Sequence, residues 1–226
     1  MIEKISAGSP LLDRFLDGGF EKGIVTTIYG PAGSGKTNIC LLTLIRLTGM
    51  GKKILYIDTE SSFSIERLQQ ITKYSEKVLD NMLFFKPSSF EEQHRIIEKL
   101  PRMLTKDVGM VVIDTISMLY RLEWGQQSDI KKINATLAKQ IALLIGVART
   151  YDIPVIVTNQ VYSDFNEKEK VKMVGGDILK NGSRCLIELQ SFANGKRLAC
   201  LRKHRSLPER TAYFYITGNG IGKKMR

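Results

Sequence analysis

The chain has 226 residues, 43% hydrophobic and 25% charged, with a formal net charge of +11. That length carries a sizeable core and most simply one domain over 1–226, while the longest apolar stretch, residues 141–148, is far too short to cross a bilayer. Three cysteines at 40, 185 and 200, with neither C-x-x-C nor metal-ligand spacing, exclude a disulfide scaffold and predict buried free thiols.

The opening M-I-E-K-I-S-A-G has no apolar core of a secretory leader, so an intracellular, cytoplasmic protein is expected. Ser9-Pro10 predicts the start of a short helix, with Ser as N-cap and Pro at its first position, ended by Gly18-Gly19. I-V-T-T-I-Y over 24–29 predicts a buried strand, and a helix follows over about 36–48. K-I-L-Y-I-D over 53–58 is the next strand. Ser89 with Glu92 forms a capping box for a helix running toward 105, with a kink expected at Pro101. G-M-V-V-I-D over 109–114 predicts a strand. A long helix over about 129–151 carries Ile130, Ile133, Leu137, Ile141 and Leu144 on one face. P-V-I-V-T-N over 154–159 is again a strand, and 162–174 is one long polar loop. Short strands over 185–189, 198–202 and 212–216, with a turn at Asn194-Gly195, close the chain. Strands alternating with helices predict an α/β fold with a mainly parallel sheet and antiparallel strands at one edge.

Charge is unevenly placed. Residues 161–226 hold 14 Lys and Arg against 6 Asp and Glu, and the preceding residues 20 against 17. A basic third on a near-neutral body suits a polyanion partner, or merely a solubilising surface.

The strongest chemical signal is G-P-A-G-S-G-K-T: Gly30, Pro31, Ala32, Gly33, Ser34, Gly35, Lys36 and Thr37. It fits G-x-x-x-x-G-K-[ST] between a predicted strand and a predicted helix, the context of a phosphate-binding loop. Glycines let backbone N–H groups turn toward phosphates, and the helix dipole adds to that field. Lys36 is expected to reach the β- and γ-phosphates of ATP, Thr37 to ligate Mg2+, and Asn38 to complete the nucleotide set. Asp114, ending M-V-V-I-D, is the expected second Mg2+ residue. Glu60 and Gln160 follow two other predicted strands at the carboxyl edge, where ligands of open α/β sheets gather. Either is also readable as an ordinary loop residue.

Y-I-D-T-E-S-S-F-S-I-E-R-L (56–68), T-N-Q-V (158–161), V-G-G-D-I (174–178) and S-L-P-E (206–209) occur in this order around the two Walker motifs. This set resembles the RecA superfamily and, within it, the archaeal and eukaryotic recombinases, over about 5–221. It implies a RecA-like P-loop ATPase core. The chain starts at that core, without the N-terminal helical DNA-binding domain and Phe-containing polymerisation motif of full recombinases, and its second DNA loop is shorter. The resemblance is therefore nearest to the archaeal RadB family of recombinase paralogues. It implies an accessory role in homologous recombination and DNA repair, weak Mg-dependent ATPase activity and no strand exchange by itself. The alternatives are an active strand-exchange recombinase or a KaiC-like signalling ATPase or kinase. The expected partner is DNA, single-stranded or branched. A full-length recombinase, a junction nuclease and a second copy of the chain are further candidates.

Carried over residue by residue, the resemblance makes Glu60 the catalytic glutamate, Gln160 the γ-phosphate sensor and Arg67 the arginine that packs on adenine. Residues 120–128 match the first DNA loop, where Arg121 meets phosphate and Trp124 stacks on a base or packs locally. Lys168, Lys170 and Lys172 belong to the second DNA loop, in a run half neutralised by its own acids.

R-K-H-R, from Arg202 to Arg205, has no acid until Glu209. Three readings compete: a solvated strand end, a DNA-phosphate patch, or a cationic finger. In filament-forming relatives the corresponding segment packs over an adjacent subunit's nucleotide, and some RecA-like branches use a Lys-x-Arg pair there. Strand alternation puts Lys203 and Arg205 on one face, where both would meet one triphosphate.

Overall fold

A computed structural model describes residues 3–126, 129–163 and 171–224. In chain order the elements are β1 (Lys4–Ile5), α1 (Pro10–Phe15), β2 (Phe20–Glu21), β3 (Val25–Tyr29), α2 (Lys36–Gly49), β4 (Lys53–Asp58), α3 (Ile65–Ile71), α4 (Ser75–Asp80), β5 (Met82–Phe85), α5 (Phe90–Met103) and β6 (Val108–Asp114). They continue with α6 (Met118–Gln126), α7 (Ile130–Tyr151), β7 (Val155–Asn159), β8 (Val161–Ser163), β9 (Val171–Met173), α8 (Gly176–Gly182), β10 (Cys185–Ser191), β11 (Lys196–Lys203), β12 (Arg210–Thr217) and β13 (Gly220–Gly222).

Nine strands form one sheet in the order β13-β12-β11-β10-β3-β7-β6-β4-β5. The pairs from β10 through β5 are parallel, and those from β10 to β13 are antiparallel. β3, β6 and β7 are buried along their whole length because helices cover both sheet faces, which is why they read as unbroken apolar runs. One face packs against α1, α2, α3 and α4 through residues such as Leu12, Leu44, Leu68 and Val78. The other meets α5, α6, α7 and α8 through Ile97, Tyr120, Leu144 and Leu179. Burying each such side chain contributes about 1.5–3 kcal/mol.

The expected caps hold in part. Ser89 Oγ accepts from the Glu92 N–H at 3.1 Å, but the Glu92 carboxylate turns to Ser88 rather than Ser89. Ser9 precedes α1 without a side-chain capping bond, and Pro101 lies inside α5 two residues before its end. Three stretches depart from expectation. Residues 120–126 of the expected first DNA loop are helical, within α6, with Leu119 and Tyr120 buried. The ends of the expected polar loop pair as the hairpin β8–β9, with Tyr162 opposite Lys172. Gly176–Gly182 is helical, as α8. All three cysteines are buried and unpaired, and burial pushes each thiol above its ordinary value. Among the described residues, no helix is long and apolar enough to cross a membrane.

Candidate nucleotide and nucleic-acid site

The carboxyl ends of β3, β4, β6 and β7 lie side by side, in register Tyr29 with Asn159 and Asp58 with Asp114. The loop after β3 passes between that edge and the antiparallel strands. A Cβ at Gly30 would sit 2.4 Å from Leu189 O on β10, so only glycine fits there. Gly33 and Gly35 take φ of 71° and 106°, which frees the loop to curl before α2. The Arg197 guanidinium, from β11, donates to Gly33 O at 3.2 Å and braces the loop's tip. Lys36 is 8% exposed and donates to Gly30 O and Pro31 O at 2.9 and 3.0 Å. Burial pulls its ammonium below the ordinary lysine value, against the opposing pull of Glu60 and Asp114. Those two carbonyls are the acceptors it would exchange for phosphate oxygens.

Asp114 gathers hydroxyls. Its Oδ2 accepts from Thr37 Oγ1 at 2.7 Å, Tyr56 Oη at 2.8 Å and Ser62 Oγ at 3.2 Å, and its Oδ1 accepts from Thr158 Oγ1. Burial, followed by the Asp114 charge, pushes the Tyr56 phenol well up, which keeps it a donor. Thr37 and Asp114 supply hard oxygen donors, the set suited to Mg2+ shared with nucleotide phosphates. Among the described residues, no group of three or more His, Cys, Asp and Glu side chains is placed to hold a metal. Asp58 organises the neighbouring turn, accepting from the N–H groups of Glu60, Ser62 and Phe63.

Glu60, Gln160 and Arg121 form a chain. Glu60 Oε1 accepts from Thr115 Oγ1 and from Gln160 Nε2, each at 2.7 Å. Gln160 Oε1 accepts from Arg121 Nη1 at 3.2 Å. The structure thus joins a residue of α6 to the residue expected to activate water. Arg67, expected beside adenine, donates through Nε to Asn38 Oδ1 at 2.8 Å and through Nη2 to Thr217 O at 2.8 Å. It ties α3 to α2 and to the turn between β12 and β13.

Trp124 is 48% exposed and stacks on Tyr120, with ring centroids 6.3 Å apart. Tyr120, Arg121, Trp124 and Tyr162 line a cleft of about 550 Å³ between α6 and the β8–β9 hairpin. Lys172 lies on β9 and is exposed, while Lys168 and Lys170 fall outside the described residues.

The R-K-H-R segment finds partners within the chain. Arg202 Nε reaches Glu188 Oε2 at 2.7 Å, Lys203 Nζ donates to Lys180 O at 2.7 Å, and Arg205 Nε reaches Glu21 Oε2 at 2.7 Å. His204 Nε2 lies 3.3 Å from Glu21 Oε1, both side chains being almost fully buried. β11 ends at Lys203, so the expected shared strand face of Lys203 and Arg205 does not extend to Arg205. β11 runs antiparallel to β10, which puts this segment at the sheet edge opposite the phosphate loop. Sequence reasoning missed Arg197, Thr115, Tyr56, Ser62 and Glu21. Tyr56 and Ser62 lie inside the quoted 56–68 motif, which was the available signal. For Arg197, Thr115 and Glu21 no local signal exists.

The Rad51 family pattern matches residues 1–224. The chain is 39% identical over 221 residues to a Methanococcoides burtonii protein named DNA repair and recombination protein RadB, covering 97% of both chains. Proteins of the same name from Methanobrevibacter smithii and Methanocaldococcus jannaschii are 41% and 40% identical over 218 and 213 residues. Each match covers 93% of this chain and 92% and 98% of the relatives, respectively. A crystal structure titled as the RadB recombinase superposes with a TM-score of 0.81 at 37% identity, over 96% of this chain and 98% of that one.

Proposed function

Because the chain belongs to the Rad51 family, we propose that it is a DNA repair and recombination protein that binds ATP with Mg2+ and binds DNA. Its role is that of an accessory factor with weak ATPase activity and no strand exchange of its own. The observation that carries the reading is the convergence of Lys36, Thr37, Asp114, Glu60 and Gln160 at one sheet edge, with Gln160 bonded to Arg121 beside the aromatic cleft.

Bound ATP with Mg2+ supplies the electrophilic phosphorus and the charge that polarises it. Lys36 holds the β- and γ-phosphates, and the Thr37 hydroxyl and Asp114 carboxylate hold the metal. Arg67, its planar guanidinium held in place by Asn38 and Thr217 O, offers a flat face to the base. Glu60 orients water and takes its proton, and Gln160 donates to the γ-phosphate. Arg121, Trp124 and Lys172 form the DNA side, extended by Lys168 and Lys170. Lys203 and Arg205 lie at the far edge, so any role of theirs on ATP is played on a second copy of the chain.

Equilibrium binding of a labelled ATP analogue tests the nucleotide half. Lys36→Ala is expected to lose at least tenfold in affinity, about 1.4 kcal/mol, with an unchanged unfolding midpoint. Unchanged affinity removes the assignment. Glu60→Gln is expected to bind ATP and lose hydrolysis. Binding of single-stranded and branched DNA at several salt concentrations tests the other half. A log–log slope of several ions is expected, and its absence favours a signalling ATPase. Strand exchange with and without a full recombinase separates accessory from independent action.

A further inference from the structure

We propose that Arg121 is a positioning residue shared between Gln160 and a DNA phosphate, so that nucleotide and DNA each help to dismantle the same hydrogen-bonded chain. The proposal rests on the nucleotide- and DNA-binding reading above and adds the element that couples its two halves.

Both ends of the Gln160 amide are engaged. Its oxygen accepts from Arg121 Nη1 at 3.2 Å, and its nitrogen donates to Glu60 Oε1 at 2.7 Å. Arg121 thereby decides which way the amide points. With the oxygen held by a guanidinium, the donor end faces Glu60 and is not offered to a γ-phosphate. Glu60 Oε1 at the same time carries a second donor, Thr115 Oγ1. A glutamate oxygen holding two donors is a poorer acceptor for a water proton.

The Arg121–Gln160 bond is the weak link. At 3.2 Å it stands at the long end of the N–H···O range, its acceptor carries no charge, and Arg121 is exposed on α6. A phosphate diester offers the same guanidinium two oxygens that share one negative charge, in the bidentate geometry arginine prefers. The approach is in place, since Arg121 lines the roughly 550 Å³ cleft together with Tyr120, Trp124 and Tyr162, rings on which a base can stack. A strand lying in that cleft draws Arg121 off Gln160. The amide is then free to turn its N–H group toward nucleotide, and Glu60 keeps only Thr115. The reverse also holds, because coupling between two binding sites is reciprocal. A γ-phosphate that recruits the Gln160 amide releases Arg121 to DNA.

The test is the affinity of a labelled oligothymidylate with no nucleotide, with ADP and with a non-hydrolysable ATP analogue. The parent protein is expected to bind about fivefold tighter with the analogue than without nucleotide. Gln160→Ala should reach that tighter affinity with no nucleotide present, because nothing then holds Arg121, and should gain nothing from the analogue. Gln160→Met, which keeps the side-chain volume, gives the same result should the alanine variant fail to fold. Arg121→Ala should bind more weakly and respond to no nucleotide. The proposal is overturned if Gln160→Ala and Gln160→Met bind no tighter than the nucleotide-free parent, or if Arg121→Ala keeps the full nucleotide response. A parent that binds DNA while the variants stay unshifted sinks the coupling alone. A parent that binds no DNA in any state sinks the DNA reading with it.

Discussion

Thr37 Oγ1 lies 2.7 Å from Asp114 Oδ2, a contact between residues 77 positions apart that pins the first turn of α2 to the end of β6. Asp114 accepts three further hydroxyls, so its carboxylate is both a candidate metal residue and a structural hub. Asp114→Asn would turn an N–H group toward donors. We expect a loss of about 1–3 kcal/mol in stability from the unmatched donors, with nucleotide affinity made insensitive to Mg2+. Urea unfolding and nucleotide titrations with and without chelator check both. Parent-like Mg2+ dependence would remove Asp114 from the metal site.

Arg67 ties Asn38 on α2 to the carbonyls of Thr217 and Gly218, at 2.8 and 3.3 Å. Arg67→Ala is expected to weaken nucleotide binding several-fold, on the order of 1 kcal/mol, and to loosen residues 217–220. Hydrogen exchange on those amides is the second readout. If affinity falls while exchange stays constant, Arg67 acts on the nucleotide alone and not through the turn.

The buried His204 ring predicts a pH dependence. Its Nδ1 accepts from the N–H groups of Ser206 and Leu207, at 3.2 and 3.1 Å, and its Nε2 faces Glu21. With Nδ1 accepting, the ring is a neutral imidazole that turns Nε2 toward a carboxylate. Burial lowers its value from the ordinary 6.5, Glu21 pulls the other way, and Lys4, Arg205 and Arg210 add to the lowering. With the folded value below the unfolded one, the unfolded chain binds the proton first. Stability is full above the unfolded value and declines as pH falls through it toward the lower folded value. The decline is limited to about 1.4 kcal/mol per pH unit. His204→Asn retains an acceptor for the two N–H groups and should flatten this part of the profile, measured by urea midpoints from about pH 7 to about pH 5. An unflattened slope would assign the dependence to another group.

Arg205 and Lys203 must be tested separately. Arg205 is 43% exposed, but its partner Glu21 is 1% exposed. Arg205→Ala leaves that carboxylate facing only a neutral imidazole and should cost about 1–3 kcal/mol in stability. Lys203 donates to a backbone carbonyl at the surface, so Lys203→Ala should leave stability within about 0.5 kcal/mol. If the pair serves ATP of a second copy, Lys203→Ala lowers hydrolysis, which in the parent rises faster than linearly with protein concentration. Linear concentration dependence with parent-like rates in Lys203→Ala would end that role.

The gathering of Lys36, Thr37, Asp114, Glu60 and Gln160 at one sheet edge was legible because its parts are local. G-P-A-G-S-G-K-T, the acid closing M-V-V-I-D and the residues after two other strands need only strand ends to be placed correctly. The partners of R-K-H-R were not legible, because Glu21 and Glu188 reach them only through the closing strands, and a search for nearby acids stops at Glu209. Residues 120–126 are helical, as part of α6, because Leu119 and Tyr120 pack against the core, a tertiary effect that overrides the loop reading. Arg197 looks like an ordinary strand cation until β11 is laid beside β10 and its reach to Gly33 O becomes visible.

The bracing of the phosphate loop from the far end of the chain has a consequence for biosynthesis. Leu189 walls Gly30, Arg197 caps Gly33, and Thr217 and Gly218 clamp Arg67. All four braces are synthesised long after the loop they support. While the chain is still emerging, the parallel half can collapse, but its nucleotide cradle lacks a wall. If the cradle takes ATP as proposed, the nucleotide has no complete site to stabilise until the last strands have left the ribosome. Ligand stabilisation would then favour finished chains over chains that stop before residue 217.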